Sequence, residues 1–408
     1  MNQAINNLQI DKAPGVDCIK NVIIKTIAFH TPYILLDFFN NCLIKCSFPA
    51  IFKYSNVILI PKKTSASCLD NYRPISLLSN IGKVLERMIL GKLLPTLMER
   101  GFGVNQYGFL PGRSTEQAIN HALNETKANI RKGKIVILIS IDFKGAFDGT
   151  WWPYVLSRLR HYKVSNNIYH ILRNYLSKRS AAIIQNGYEI ASTELEKSSP
   201  QGSVLGPILW CLVIDEFLQN EIQNVEKIAF ADDLLMIVSA DTIEEVQERA
   251  TLAMNQLRKW SSASKTTINI NKSATMLMCQ PDVESPVVKF DDEINLPAVK
   301  HIKYLGIAID NMLRFDLHVQ NICSSTKSKI RLFGRLAGNV KGYEYRLLKM
   351  VYSSVIVPAI TYGASAWIDR IGSHKSKLKN IQKNMEFKLI IIIISYIIYI
   401  QTRVKNGI

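Results

Sequence analysis

Two neighbouring aspartates, Asp232 and Asp233, stand between two apolar runs in the segment KIAFADDLLMIVS, residues 227–239. Each run suits a short buried strand, and the polar residues between them suit a tight turn, so the segment predicts a β-hairpin with both acids at its turn. Carboxylates buried side by side repel each other unless cations compensate them. Two Mg²⁺ ions about 3.5–4 Å apart would do so in the arrangement used for phosphoryl transfer. For this segment alone, an ordinary aspartate-rich turn is the simpler interpretation.

A third acid, Asp142, follows the apolar run IVILISI, residues 135–141. The run IVILIS (135–140) predicts a short buried strand, and a side chain just past its C-terminal end can reach solvent or a ligand. Two capping-box patterns predict helix starts: Ser114 with Gln117, and Thr242 with Glu245. The first helix should run toward Ile130, and the second should cover 242–260 with one buried face. Strands and amphipathic helices mixed in this way indicate an α+β fold rather than a strictly alternating parallel sheet.

Other segments carry residues suited to nucleotides. The ring of Phe147 could form the bottom of a nucleotide pocket and exclude a ribose 2′-hydroxyl, although a phenylalanine packed in the core fits the pattern equally well. In SPQGSVLGP (199–207), Gln201 and Gly202 would let the backbone approach a base or sugar, or could simply form a turn that opens a helix. Lys62 and Arg73 suit a triphosphate, while a solvated basic surface is the alternative for each.

The charge balance favours a polyanionic partner. The chain has 50 Lys and Arg against 33 Asp and Glu, a formal net charge of +17. Nucleic acid or a membrane surface would be attracted, although a merely basic enzyme is as common. The seven cysteines show no pattern typical of a zinc site and indicate reduced, mostly buried thiols of an intracellular protein. The run Leu389–Ile400 is shorter than the roughly 20 residues that span a bilayer.

Eight segments occur in a fixed order, and together they resemble the reverse transcriptase of non-LTR (LINE-type, jockey-like) retrotransposons. They are KAPGVD (12–17), IPKK with NYRPISLL (60–78), QYGFLPGRST (106–115), SIDFKGAFD (140–148), SPQGSVLGP (199–207), FADD (230–233), NKSATM (271–276) and KYLGIAID (303–310). The sequence departs from the family at Cys18, where glycine is usual, at Leu110, where arginine is usual, and at Phe230, where tyrosine is more frequent.

The resemblance implies a right-hand polymerase, with fingers and palm built on antiparallel sheet and a helical thumb. It matches Asp142, Asp232 and Asp233 with the catalytic acids that bind two Mg²⁺ ions, or Mn²⁺. Nucleotide-binding positions match Lys62, Arg73, Phe147, Gln201, Gly202 and Lys272, and the block that grips the primer end matches Tyr304, Leu305 and Gly306. Asp148, beside Phe147, is expected to be structural rather than a metal ligand.

The same resemblance implies RNA-directed DNA polymerase activity, with an RNA template, a DNA primer and dNTPs as partners and no membrane. We expect fingers and palm over 1–310, a helical thumb-like segment over 311–385, and an apolar tail over 386–408 that is not native to the fold. An endonuclease domain is expected to be missing from this chain, and action in the nucleus is expected although no clear signal is present.

Three alternatives stay open at this stage. A catalytically silent, truncated remnant would bind template and primer through the same basic cleft without extending them. A protein anchored to a membrane by 389–400 is disfavoured by the shortness of that run. A two-metal nuclease would share the acids, but the SPQGSVLGP and RPIS segments give it no support.

Overall fold

The computed structural model describes residues 1–62, 71–280, 283–337 and 345–368. Its helices in chain order are α1 (Asn2–Asn6), α2 (Asn21–His30), α3 (Pro32–Ile44), α4 (Asn80–Met98), α5 (Thr115–Arg131), α6 (Trp152–His161), α7 (Asn166–Leu176), α8 (Gly206–Gln219), α9 (Ile243–Ser264), α10 (Asp316–Ala337), α11 (Tyr345–Val351), α12 (Val357–Thr361) and α13 (Ala364–Trp367). Its strands are β1 (Tyr54–Pro61), β2 (Tyr72–Leu77), β3 (Ile135–Ile141), β4 (Phe143–Lys144), β5 (Arg179–Gln185), β6 (Tyr188–Leu195), β7 (Val225–Phe230), β8 (Asp233–Ala240), β9 (Thr267–Ile268), β10 (Ala274–Met278), β11 (His301–Tyr304) and β12 (Ile307–Asp310).

The central sheet has the strand order β10-β3-β8-β7, and every neighbouring pair is antiparallel. It carries the predicted hairpin, because β7 and β8 pair from Val225 opposite Val238 to Phe230 opposite Asp233. Only Ala231 and Asp232 therefore lie in the turn. The hairpin prediction is confirmed, and its two-residue turn holds the first acid while the second begins β8.

Both faces of this sheet are buried, which explains why its strands are apolar without alternation. Odd-numbered residues of β3, such as Ile137 and Ile139, pack into one core with helices α6, α8 and α9. Even-numbered residues such as Val136 and Leu138 pack into a second core with α5, the β11–β12 hairpin and α10. The sheet is thus a rigid platform for side chains at its ends.

A second sheet, with the order β2-β1-β5-β6, contains the segments IPKK and NYRPISLL. β1 pairs antiparallel with β2 and parallel with β5, and β5 pairs antiparallel with β6. The β1–β2 arm joins the central sheet region through the loop SPQGSVLGP, since the amide of Ser76 donates to the carbonyl oxygen of Gln201 at 2.8 Å. Helices combined with sheets that are antiparallel except for the β1–β5 pair confirm the α+β prediction.

The capping predictions hold at both helices. Ser114 and Gln117 form a reciprocal capping box at the start of α5, and the hydroxyl of Thr242 accepts a hydrogen bond from the amide of Glu245 at the start of α9. The second helix is longer than predicted and ends at Ser264 rather than residue 260, because Ser261 and Ser264 are buried and continue its packed face. Serine is polar, so a buried serine is not recognised from a hydrophobic pattern in the sequence.

Cysteine burial only partly follows the prediction. Cys42, Cys211 and Cys323 are buried, but Cys46 and Cys279 are partly exposed and Cys18 is exposed, while Cys68 lies outside the described residues. Among the described helices none alone is long and apolar enough to cross a membrane; α2 and α3 pass that test only jointly, across a bend of 107°. The predicted thumb-like segment is helical over its described part, from α10 to α13, and the predicted tail at 386–408 lies outside the described residues.

Candidate active site

Asp142 and Asp233 meet at one end of the central sheet. The β3–β8 ladder ends with Ile141 opposite Leu234, so the next step of the same register puts Asp142 opposite Asp233. Both acids continue the even face of β3 and the matching face of β8, which point toward the β11–β12 hairpin. Asp232 precedes Asp233 in the hairpin turn. The structure therefore brings Asp142 to the pair Asp232 and Asp233, which begins ninety residues later in the sequence.

The pKa values of Asp232 and Asp233 are raised, partly because the three acids lie close together. Partial burial raises the pKa of Asp233 to about 6, and the negative charges of Asp232 and Asp142 add to the rise. Burial also raises the pKa of Asp232; the charge of Asp142 adds to this, while Arg73 opposes it. A cation bound among the three carboxylates would relieve this repulsion.

The carboxylate of Asp142 is held by neighbouring side chains. Its Oδ2 accepts a hydrogen bond from Asn269 Nδ2 at 2.8 Å and lies 4.0 Å from Lys272 Nζ. No three His, Cys, Asp or Glu side chains in the described ranges are gathered into a ready-made metal cluster. The three acids nevertheless offer only carboxylate oxygens, the ligand type preferred by Mg²⁺ and Mn²⁺. Their donor chemistry and their crowded negative charge fit a divalent cation.

Phe147 and Asp148 lie between the acids and the loop SPQGSVLGP. Phe147 is half-buried, packs edge-to-face on Phe109, and its carbonyl oxygen accepts from the amide of Ser199 at 2.7 Å. Asp148 accepts hydrogen bonds from Gln201 Nε2 at 3.3 and 3.4 Å. Desolvation raises the pKa of Asp148, while Gln201 and the charge of Lys62 oppose that rise. These bonds tie Asp148 to the loop through Gln201, and its structural role stays a prediction.

Gly202 lies against β2 in a backbone conformation that favours glycine. Its φ is +125°, and a Cβ there would lie 2.6 Å from the carbonyl oxygen of Ser76 in β2. At Gly206, a Cβ would lie 2.5 Å from the hydroxyl of Ser199 and 2.6 Å from that of Ser203. Both glycines thus allow close backbone approaches, to β2 and within the loop itself, while an approach to a base or sugar stays a prediction. The approach to β2 fixes Gln201, which lies beside Gly202.

Glu86 supports the same loop from beneath, although the sequence analysis did not single it out. Its carboxylate is 1% exposed and accepts from the amides of Val204 at 2.5 Å and Leu205 at 3.1 Å, at the start of α8. Burial raises the pKa of Glu86, and the positive charge of Arg179 opposes the rise. Glu86 belongs to α4 and precedes Val204 by 118 residues, so no local pattern in the sequence indicates this contact.

The β1–β2 arm carries Lys62 and Arg73. Arg73 lies opposite Ile60 in the antiparallel pair, and Lys62 follows β1 with its amide donating to the carbonyl oxygen of Asn71 at 2.7 Å. Both side chains are exposed. Arg73 acts electrostatically on Asp232 and Lys62 acts on Asp148, so Arg73 lies near the three acids and Lys62 near Asp148.

The segment KYLGIAID forms the β11–β12 hairpin, whose two-residue turn is Leu305–Gly306 with φ angles of +46° and +85°. Tyr304 is 2% exposed, and its hydroxyl finds no hydrogen-bond partner among the described residues. Burial raises the pKa of Tyr304, and the charge of Asp233 adds to the rise, which places this ring near the acids. The turn is supported by Tyr362, whose hydroxyl donates to the carbonyl oxygen of Leu305 at 2.8 Å.

A cleft of about 600 Å³ opens beside the loop SPQGSVLGP. Its lining includes Gln201, Asp148 and Ser76 on one side and Trp151 with Lys265 on another. Lys265 Nζ lies 4.0 Å from the centre of the Trp151 ring, a cation–π contact. The cleft adjoins the candidate site without containing the three acids.

Several curated proteins are similar to this chain. A putative 115 kDa protein in the type-1 retrotransposable element R1DM of Drosophila melanogaster is 27% identical over 90% of this chain and 36% of its own length. The RNA-directed DNA polymerase from the mobile element jockey of the same species is 25% identical over 93% of this chain and 42% of its own length. A retrovirus-related Pol polyprotein from the element R1 of Bradysia coprophila is 25% identical over 90% of this chain and 36% of its own length.

These relatives confirm the resemblance to non-LTR retrotransposon polymerases, and the chain spans less than half the length of each. Residues 60–309 match the family of reverse transcriptases (RNA-dependent DNA polymerases). The matched range contains the three acids, the β1–β2 arm and the β11–β12 turn, and it covers more than half of the chain. The chain therefore belongs to the reverse transcriptase (RNA-dependent DNA polymerase) family.

Proposed function

We propose that this chain extends a DNA primer on an RNA template, with Asp142, Asp232 and Asp233 at the reacting centre. The single observation that carries the proposal is the register that sets Asp142 opposite Asp233 beside the Asp232 turn. Membership of the reverse transcriptase family supports RNA template, primer and dNTPs as the substrates. The relatives are longer proteins, so the activity of these 408 residues is a proposal.

Reverse transcriptases use divalent metal ions, and the three carboxylates are the residues that would hold them here. When bound, two such ions activate the primer 3′-oxygen and neutralise charge on the triphosphate. The bond between the 3′-oxygen and the α-phosphorus forms while the α–β phosphoanhydride bond breaks, and pyrophosphate leaves. The side chains position these groups and supply charge, because phosphoryl transfer needs little covalent help from the protein.

The cations around the acids suit the triphosphate. Arg73 and Lys62 belong to the β1–β2 arm and act electrostatically on Asp232 and Asp148, and Lys272 Nζ lies 4.0 Å from Asp142 Oδ2. An arginine fork and two ammonium groups would balance the negative charge of the triphosphate and the departing pyrophosphate. Phe147, which stands half-buried against Phe109, is proposed to contact the sugar and exclude a 2′-hydroxyl.

The β11–β12 turn is proposed to hold the primer end. Tyr304 lies near Asp233, so the turn that follows it at Leu305 and Gly306 would place a strand terminus beside the acids. The formal charge of +17 would attract the two phosphate chains of a template–primer duplex, and binding should weaken steeply as salt is raised.

The test is primer extension on an RNA template with dNTPs and Mg²⁺, comparing the wild-type chain with Asp232→Ala. The matched control is Asp241→Ala, because Asp241 directly follows the other end of β8. We expect extension by the wild type and by the control, and loss of extension by Asp232→Ala. The amount of pyrophosphate released should equal the number of nucleotides added to the primer.

Two results would contradict the proposal. Equal extension by Asp232→Ala would exclude the acids as the reacting centre. Binding of template–primer by all three proteins with no extension by any would instead support the catalytically silent remnant.

A further inference from the structure

The segment QYGFLPGRST enters the site described above only through Phe109, which packs on Phe147, yet its first residue contacts the turn that carries Asp232 directly. Gln106 is wholly buried, with 0% exposure. Its Nε2 donates to the carbonyl oxygen of Ala231 at 3.2 Å, and its Oε1 accepts from the amide of Ala231 at 2.8 Å. One side-chain amide thus satisfies both backbone groups of the residue that precedes Asp232.

The turn needs such support because its backbone is unusual. Ala231 has φ +58°, in the left-handed region that non-glycine residues rarely adopt. Such a conformation persists only when surrounding contacts impose it. Trp210 Nε1 adds a donor to the carbonyl oxygen of Ala231 at 3.0 Å. Gly108 lets the chain pack against the same turn, since a Cβ there would lie 2.2 Å from the amide nitrogen of Ala231.

Gln106 is itself held by the backbone on either side of it. The amide of Tyr107 donates to the carbonyl oxygen of Ala229 at 2.7 Å, and the amide of Ala229 donates to that of Asn105 at 2.9 Å. The loop therefore runs along β7 like an additional strand. Oε1 of Gln106 also accepts from the amide of Gly108 at 2.8 Å, which fixes the side-chain amide within its own loop.

Charged side chains lock the loop to the helices behind it. The guanidinium of Arg113, in the same motif, donates to the carbonyl oxygens of Gln106 at 2.6 Å and of Gly103. Asp215 of α8 is 0% exposed and accepts from the amide of Gly103 at 2.8 Å. A connected set of hydrogen bonds thus runs from α8 through the loop to the turn that carries Asp232.

We propose that Gln106 is a positioning residue, which holds the Asp232–Asp233 turn in the geometry that binds divalent cations. The inference rests on the proposed function, because it assigns the metal role to these acids. Gln106 does not touch substrate; it acts through Ala231. Removing its amide should let the turn relax from the left-handed conformation and move both carboxylates, whereas a purely space-filling residue could be replaced by an apolar one of similar shape.

The experiment compares Gln106→Met, which keeps the length and shape of the side chain, with Gln117→Met as matched control. Gln117 belongs to the same stretch of sequence but serves the capping box of α5, so its loss weakens a helix start without contacting the turn. A second variant, Gln106→Asn, keeps an amide that is too short to reach both groups of Ala231. Circular dichroism and thermal unfolding establish that each protein is folded.

The first readout is the binding of Mn²⁺ to the protein alone, followed by the electron paramagnetic resonance signal of the free ion. We expect Gln106→Met and Gln106→Asn to raise the Kd for Mn²⁺ by on the order of 10-fold, as losses of residues that orient metal ligands do, and Gln117→Met to leave it unchanged. The second readout is primer extension. Here kcat should fall by about 10- to 100-fold in the Gln106 variants, while KM for template–primer stays near the wild-type value.

Wild-type Mn²⁺ affinity in folded Gln106→Met, or in folded Gln106→Asn if the first variant does not fold, would overturn the proposal. An equal loss in Gln117→Met would also overturn it, since general destabilisation would then explain the effect. If the wild type binds Mn²⁺ but extends no primer, the proposed polymerase activity fails, and the Mn²⁺ titrations still decide the role of Gln106.

Discussion

The hydroxyl of Tyr362 donates a hydrogen bond to the carbonyl oxygen of Leu305 at 2.8 Å. This contact joins the segment between α12 and α13 to the β11–β12 turn across 57 residues of sequence. The ring of Tyr362 also covers Gly306, where a Cβ would lie 3.3 Å from ring atom Cε1. The helical segment therefore supports the turn that is proposed to hold the primer.

Replacing Tyr362 with phenylalanine should weaken this support while keeping the ring in place. We expect a loss of about 1 kcal/mol in the free energy of unfolding, because one hydrogen bond is lost and the site is partly exposed. KM for template–primer should rise several-fold, with a smaller change in kcat. Tyr33→Phe on α3, where the side chain is 75% exposed, is the control and should change neither quantity. An unchanged KM in Tyr362→Phe would show that the turn does not depend on this bond.

Gly202→Ala should destabilise the protein and impair nucleotide use. A Cβ at this position would meet the carbonyl oxygen of Ser76 at 2.6 Å, and φ is +125°, so we expect a cost of roughly 1–3 kcal/mol. Displacement of the neighbouring Gln201 should raise KM for dNTPs. Gly91→Ala in α4 should instead raise the free energy of unfolding, by roughly 0.5–1 kcal/mol, because alanine favours a helix over glycine. Apart from the nearby backbone of its own helix, no atom lies within 4 Å of the Cβ position. Urea unfolding of both variants checks these signs.

The elevated pKa of Asp233 predicts a dependence of stability on pH. The folded-state pKa of about 6 lies above the 3.8 of an unperturbed aspartate, so the folded protein binds the proton more tightly than the unfolded chain. The contribution of Asp233 to stability is therefore complete below about pH 4, falls as the pH rises toward 6, and is constant above about pH 7. Asp233→Asn should match the wild type near pH 4 and be more stable at pH 7.

Urea unfolding between pH 4 and pH 8, in buffer containing a chelator, measures this difference. Asp37→Asn, at an exposed position of α3, provides the control and should follow the wild-type curve. Parallel curves for the wild type and Asp233→Asn would contradict the crowding of the three acids. The same ionisation predicts that the affinity of the wild type for Mn²⁺ rises with pH up to about pH 7.

Glu86→Gln should destabilise the protein strongly. Both backbone amides at the start of α8 donate to the same carboxylate oxygen, Oε2, and the neutral oxygen of an amide side chain would accept them more weakly than a carboxylate does. The replacement also removes the negative charge that faces the buried Arg179. We expect a loss of about 3 kcal/mol in the free energy of unfolding. Glu99→Gln, at the exposed C-terminal end of α4, should have little effect; a comparable loss there would contradict the proposed role of the buried carboxylate.

Much of the local structure could be predicted from the sequence, because local chemistry decides it. The apolar runs around FADD predicted the β7–β8 hairpin, and the pairs Ser114–Gln117 and Thr242–Glu245 predicted where α5 and α9 begin. Each of these signals depends on residues close together in the chain. The eight ordered segments also predicted the family, which the match over residues 60–309 confirmed.

Some departures from the family pattern acquire a meaning only in the structure. Cys18 has φ +55°, a conformation that suits glycine, which explains why glycine is usual at this position. The side chain of Leu110, where arginine is usual, is buried and lies over Gly103. The sequence showed both differences but not the backbone conformation or the burial that makes them matter.

Only the tertiary structure decided which distant residues support the site. The sequence predicted that Asp142 follows one strand and that Asp232 and Asp233 lie where a hairpin turns, whereas strand pairing put Asp233 at the start of β8 and set Asp142 opposite it. Gln106 reaches Ala231 across 125 residues, and Glu86 reaches Val204 across 118. Buried polar groups must find partners wherever the fold brings a donor or an acceptor, and no local pattern encodes that choice. Hydrophobic period and turn chemistry therefore specify the elements, while burial and hydrogen-bond satisfaction specify the site.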